Sequence, residues 1–231
     1  MTGTRPALIF VSLIMVTVAV RMTRLADRIA GATGLWRRFV GVLLLAVATS
    51  LPELATSLFA VVSFCAPGLA FGNVFGSNVA NLAFIGLLDF MVAGSIFAAA
   101  QREHVLNAIW TVVLTVMILG AVGSERWLTG TPFFCGKLFS FIILVAYVVA
   151  VHQSGGEGKS TPVPERTGIR MLVLQFVGCA GAILVLGLIL TRTCDDLARL
   201  TGLGHTFVGV LVLALVTSLP ELDGSLRSRY S

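Results

Sequence analysis

Apolar runs long enough to cross a lipid bilayer recur along nearly the whole chain, and that recurrence restricts its fold more than any other feature. Hydrocarbon offers no water to satisfy backbone N–H and C=O groups, so helices are the default form for repeated crossings. Seven candidate spans read at roughly 7–22, 39–65, 69–98, 105–123, 132–151, 169–190 and 205–222. Most hold the roughly 20 apolar residues that a crossing helix needs, allowing for tilt. The first is short unless it begins near Met1 or runs on past Arg21. An apolar run ending at Arg21 also has the look of a secretory signal. No small-residue cleavage site is obvious, however, and many spans follow, so it reads as a first transmembrane helix. Only 12% of residues are charged, against about a quarter in a soluble domain. The expectation is an all-α, polytopic membrane protein whose surroundings are the lipid bilayer.

Charges between the spans report orientation. Arg21, Arg24, Arg28, Arg37 and Arg38 follow the first span, whereas residues 66–68 after the second carry no charge. Arg102 follows the third, and the fifth connection sets Lys159, Arg166 and Arg170 against Glu157 and Glu165. Positive loops favour the cytoplasmic side, which predicts an N-terminus outside and a multi-pass protein of the plasma (inner) membrane. The net charge of +5 is modest and no basic aromatic patch points to nucleic acid. The fifth connection is rich in Gly, Ser and Pro and reads as a linker. The expected division is a five-span first repeat at 1–151, a cytoplasmic linker at 152–168 and a second repeat at 169–231.

The two parts are related by duplication. Shifted by 168 residues, the segment from Thr23 to Leu58 falls on Thr191 to Leu226, and 22 of 36 positions match without a gap. Asp27/Asp195, Pro52/Pro220 and Glu53/Glu221 are among the matches, which shared greasiness does not explain. The duplicated segment makes the second span and then the seventh. The copies are offset by five spans, an odd number, so they cross in opposite directions. This is an inverted-topology repeat, whose site is expected near the bilayer midplane between the repeats.

Each copy carries polar residues where a span needs none. Thr49, Ser50 and Glu53 lie within one helical turn, so both hydroxyls neighbour the Glu53 carboxylate. Pro52 has no N–H and its ring opposes the carbonyl of Ala48, which predicts a kink that frees carbonyls from Ala46 to Thr49. Hydroxyls, free carbonyls and a carboxylate are hard oxygen ligands, suited to Na⁺ and Ca²⁺ rather than soft metals. Ala214, Thr217, Ser218, Pro220 and Glu221 repeat the arrangement. A carboxylate at the centre of a membrane helix costs on the order of 2.5–3.5 kcal/mol, so two at matching places point to function. The third span opens with Gly72, Gly76 and Ala80 spaced by four, a stripe for close helix approach. Asn73, Ser77 and Asn81 form the adjacent stripe and read as ligands or glue around a polar cavity.

Other polar residues say less. Asp89 fits either a second cation or proton group, or an interfacial position. His104, His152 and His205 fall at span ends and read as interfacial. Cys65, Cys135, Cys179 and Cys194 show no metal-ligand spacing and read as small apolar residues. An intramembrane enzyme using the paired carboxylates would want a His or Cys companion at helical spacing, and the spans offer none, so the protein is not read as an enzyme.

TSLPEL twice, with GNVFGSN after the first, resembles the cation/calcium antiporter superfamily, in particular its sodium/calcium exchanger branch. The resemblance implies ten spans in two inverted halves, secondary active exchange of Ca²⁺ for Na⁺, and no cofactor beyond the transported ions. It implies cation ligands at Ala46, Thr49, Ser50, Glu53, Ser77 and Asn81, and in the second half at Ala214, Thr217, Ser218 and Glu221. The family's usual Gly before TSLPE is here Ala48 and Val216. H⁺/Ca²⁺ exchange and K⁺-dependent Na⁺/Ca²⁺ exchange remain open. After Glu221 come only ten residues, with Arg227 and Arg229 where the first copy is apolar, and no second GNxxGSN segment follows. About seven of the expected ten helices are therefore predicted, in a C-terminally truncated member of the family. A non-transporting fragment is the alternative.

Overall fold

The computed structural model describes residues 4–32, 37–91, 102–124, 141–143, 145, 146, 149 and 168–230. Among the described residues there is no strand. Helices α1 (Thr4–Ala32), α2 (Arg37–Val62) and α3 (Pro67–Met91) are followed by α4 (Arg102–Ser124). The second repeat supplies α5 (Ile169–Thr201), α6 (His205–Val208), a π-helical turn at Gly209–Leu213 and α7 (Ala214–Tyr230). Among the described residues, four stretches are long and apolar enough to cross a membrane: Pro6–Ala32, Leu44–Val62, Ile169–Thr201 and His205–Leu222. The protein is an all-α, polytopic integral membrane protein. The first helix does run on past Arg21. The expected fifth span at 132–151 and the linker at 152–168 lie almost wholly outside the described residues.

One unit gathers residues 1–88 and 160–231, and a second holds Asp89–Lys159. Within the second, α4 shows an apolar exterior that includes Val112, Val116 and Leu119. In the first unit, α1 packs chiefly against α5 and α2. Its buried residues Met15, Ala19, Met22, Ala26 and Ile29 alternate spacings of four and three, the seam of a helix that meets a partner along its length. Helix α5 answers with Leu172, Phe176, Ile183, Leu190, Cys194 and Ala198.

Lipid tails are as apolar as leucine, so helices here associate through close packing and hydrogen bonds rather than by escaping water. The residues obey that rule. The buried stripe of α2 is Ala48, Pro52, Ala55, Thr56 and Ala60, while Leu54, Leu58, Val61 and Val62 face outward. A Cβ on Gly187 of α5 would stand 3.2 Å from the Ala55 Cβ. That closeness lets the Thr191 hydroxyl reach the Thr56 carbonyl at 3.2 Å. Thr191 and its duplicate Thr23 also bond back to carbonyls four residues earlier, Gly187 at 2.7 Å and Ala19 at 3.1 Å.

A tight turn joins α2 to α3. The Ala66 N–H bonds the Ala60 carbonyl at 2.8 Å, and Cys65 takes a left-handed conformation with φ 50°. Pro67 then opens α3, where its missing N–H costs nothing. Gly202, also left-handed at φ 70°, ends α5. Across that turn the buried Asp195 carboxylate takes Arg199 Nε at 2.9 Å and pairs with His205 Nε2 at 2.8 Å. His205, at its expected span end, thus ties the end of α5 to the start of α6.

The directions of the repeats follow from neighbours. Gly68 lies by His205 and Thr206, Gly72 by Thr206 and Gly209, and Gly76 by Val210 and Ala214. Helix α3 therefore climbs alongside α6, the π turn and α7 in the same sense. Because α2 is antiparallel to α3 through their short turn, it is antiparallel to its own duplicate, α7.

Candidate functional site

Three helices meet around the duplicated motif because glycine lets them. Gly72 and Gly209 face each other with Cα atoms so near that a Cβ on Gly209 would stand 2.6 Å from the Leu69 carbonyl. A Cβ on Gly72 would run into the Thr206 carbonyl, and one on Gly76 would lie 2.6 Å from the Ala214 Cβ. The small-residue stripe thus sets α3 against α7. Its adjacent polar stripe is carried inward: Asn73 is 0% exposed and Ser77 is 7% exposed.

Asn73 sits at the centre of the polar contacts. Its Nδ2 donates to the Glu53 carbonyl at 3.2 Å, Thr56 Oγ1 at 3.0 Å and Ser57 Oγ at 2.9 Å, all on α2. Its Oδ1 accepts from the Thr217 hydroxyl of α7 at 3.3 Å. Thr217 also reaches its own helix, at the Leu213 and Ala214 carbonyls. Thr49, its duplicate, does the same with Leu45 at 3.1 Å and Ala46 at 3.2 Å.

The Glu53 and Glu221 carboxyls lie within electrostatic reach of each other. Thr217 stands beside the Glu53 carboxyl and Asn81 beside that of Glu221. Neither oxygen of Glu53 completes a hydrogen bond of good geometry, although both are shut off from solvent. Ser77 Oγ, Asn81 Oδ1 and Ser218 Oγ are buried and unpartnered in the same way. A buried polar group left without a partner costs about 1–3 kcal/mol, and an uncompensated carboxylate costs more. Five such oxygens lie on α2, α3 and α7.

The two copies are not equally enclosed. In the second, Ala214, Thr217 and Ser218 are buried, each 0% exposed. In the first, Ala46 and Ser50 are exposed and Thr49 is only half-buried. Helix α3 packs on the second copy at Ala214, where Gly76 meets its Cβ. Glu53 and Glu221 themselves are half-buried.

Helices α2 and α7 run unbroken through Pro52 and Pro220. The irregularity in the second copy comes earlier, in the π turn before Ala214, where it widens the helix beside Gly72. The sequence reads Asn73, with Ser77 and Asn81, as ligand or glue around a polar cavity, but the resemblance does not put it among the cation ligands, and Thr56, Ser57 and Thr191 carry no signal of their own. The four-residue spacing of Asn73, Ser77 and Asn81 was the available signal. The Asp89 side chain lies outside the described residues. Cys65, Cys179 and Cys194 are free thiols. Among the described residues no group of three or more His, Cys, Asp or Glu converges. A cation held here would meet two carboxylates and neutral oxygens.

The family described as sodium/calcium exchanger protein matches the chain over residues 6–153 and 171–229. The chain is 26% identical over 206 residues to an uncharacterised membrane protein of Methanocaldococcus jannaschii, covering 88% of this chain and 64% of that protein. It is 38% identical over 96 residues to a provisionally named antiporter, CaxA, of Alkalimonas amylolytica, covering 41% and 30%. It is 43% identical over 60 residues to the sodium/calcium exchanger MaX1 of Methanosarcina acetivorans, covering 26% and 17%. The chain therefore spans less than two thirds of the length of each of these relatives. No solved structure matches it.

Proposed function

The chain belongs to the sodium/calcium exchanger protein family, and from that premise we propose that it serves cation antiport, exchanging Ca²⁺ for Na⁺ at the Glu53–Glu221 site. The observation that carries the reading is the set of buried, unpartnered oxygens on Glu53, Ser77, Asn81 and Ser218. Each is an oxygen with a lone pair to offer, and a cation would compensate for their burial. Ca²⁺ takes six to eight oxygens and tolerates mixed carboxylate, carbonyl and hydroxyl sets. In this reading the ligands are the carboxylates of Glu53 and Glu221, the side chains of Thr49, Ser50, Thr217, Ser218, Ser77 and Asn81, and the backbones of Ala46 and Ala214.

Exchange follows from competition for charge. Two nearby carboxylates in a dehydrated site are stable together when a cation or protons neutralise them. One Ca²⁺ or more than one Na⁺ meets that need, so each ion displaces the other. The loaded site is then free to change its side of exposure, whereas an empty charged site is disfavoured in lipid. The antiparallel α2 and α7 give that movement two related end states. The arginines in the C-terminal half of α1 and at the start of α2 support a reading with the N-terminus outside. In proteoliposomes, Glu53→Gln is expected to abolish Na⁺-driven Ca²⁺ uptake, and uptake at the wild-type rate would refute the assignment.

A second reading is that the chain binds the ion without completing exchange by itself. The exposure of Ala46 and Ser50 favours it, because the first half-site is open where the second is enclosed. Ca²⁺ binding without flux would select this reading, and flux would exclude it.

A further inference from the structure

The sequence repeats Thr49 as Thr217, yet among the described residues Thr49 bonds its own helix while Thr217 also reaches another, at Asn73. The orientation of the Asn73 carboxamide is fixed by chemistry. The Glu53 backbone oxygen can only accept, and the Thr56 hydroxyl already gives its proton to the Pro52 carbonyl at 2.8 Å. The amide nitrogen must therefore face α2, which leaves Oδ1 for α7. A threonine hydroxyl has a single proton. That proton is shared among Asn73 Oδ1 and the Leu213 and Ala214 carbonyls, and of these the Asn73 contact is the one that reaches another helix.

Resting on the ion-site reading above, we propose that Asn73 is a positioning residue that orients the Thr217 hydroxyl toward α2, ties α7 to α2 through it, and thereby raises the cation affinity of the site. Asn73 itself touches no transported ion. Its amide hydrogens are shared among three acceptors on α2 and its oxygen is engaged by α7. Because it is 0% exposed and joins both carboxylate-bearing helices, it also fixes the register at which Glu53 meets α7. Without it, Thr217 keeps only the carbonyls of its own helix, as Thr49 does, and the register between α2 and α7 loosens.

Calorimetric titration of the purified full chain with Ca²⁺, in a double-mutant cycle, tests this. Asn73→Ala is expected to weaken Ca²⁺ binding about tenfold, the worth of one buried hydrogen bond to the site. In a Thr217→Val background the same change is expected to alter affinity less than about twofold, since the group it orients is gone. Equal losses in both backgrounds, or no loss in the wild-type background, would overturn the proposal, because a merely structural role weakens both alike. Should Asn73→Ala fail to give a monodisperse protein, Asn73→Ser, whose hydroxyl is too short to reach α7, enters the same cycle. A wild-type chain that gives a flat titration would contradict the ion site instead. The positioning claim then rests on hydrogen exchange: faster exchange across residues 214–221 in Asn73→Ala supports it, and unchanged exchange overturns it.

Discussion

The Glu53 carboxylate is buried with no hydrogen bond of its own, whereas its carbonyl is held by Asn73. Such a division suits a side chain that must release and recapture a charged partner while its backbone stays fixed. The serine duplicates test how enclosure matters. Ser218 is 0% exposed with an unpartnered hydroxyl, and Ser50 is exposed. Ser218→Ala is expected to lower Ca²⁺ affinity several-fold, about one hydrogen bond's worth, and Ser50→Ala less than twofold. Equal effects in a Ca²⁺ titration would contradict the asymmetry. The acidic residues and their hydroxyl neighbours were legible in the sequence because each is an expensive exception within an apolar run. The partners of Asn73 were not, because Thr217 lies 144 positions away and only packing brings it near.

Among elements, α3 decides the geometry, and its glycines decide α3. Gly72→Ala puts a methyl into the Thr206 carbonyl, where backbone rather than a pliable side chain must give way. Overpacking of this kind costs about 1–3 kcal/mol or more, so the thermal unfolding midpoint of the detergent-purified protein is expected to fall by several degrees. Gly178→Ala in α5 meets open space and is expected to leave the midpoint unchanged or higher, since glycine weakens a helix interior. A similar fall in both variants would refute the role given to the Gly72–Gly209 contact. The small-residue stripe was readable from its spacing alone. The π turn at Gly209–Leu213 was not, because the first copy has nearly the same residues from Gly41 to Leu45 and forms ordinary α-helix. What differs is the neighbour, with α3 pressed against the second copy. The continuity of α2 through Pro52 has the same lesson. Proline removes one hydrogen bond, and surrounding helices hold the rest of the ladder in place.

For the molecule as a whole, antiparallel duplication is what brings two carboxylates together. Helices α1 and α5 pack along the buried seam between repeats, and α2 and α7 carry the same motif past each other in opposite senses. Repeat and direction were both legible, the first from matching residues and the second from an odd number of spans. How completely each half-site is closed depends on which helix lies over it, and a linear pattern does not contain that. The central claim is that Glu53 and Glu221 form one cation site rather than two separate buried acids. The most direct test is the stoichiometry of Ca²⁺ bound to the purified chain, measured by calorimetry for wild type, Glu53→Gln and Glu221→Gln. One ion per chain, lost when either glutamate is neutralised, is the predicted result. Binding that survives either substitution undiminished, or a wild-type chain that binds no Ca²⁺, would contradict it.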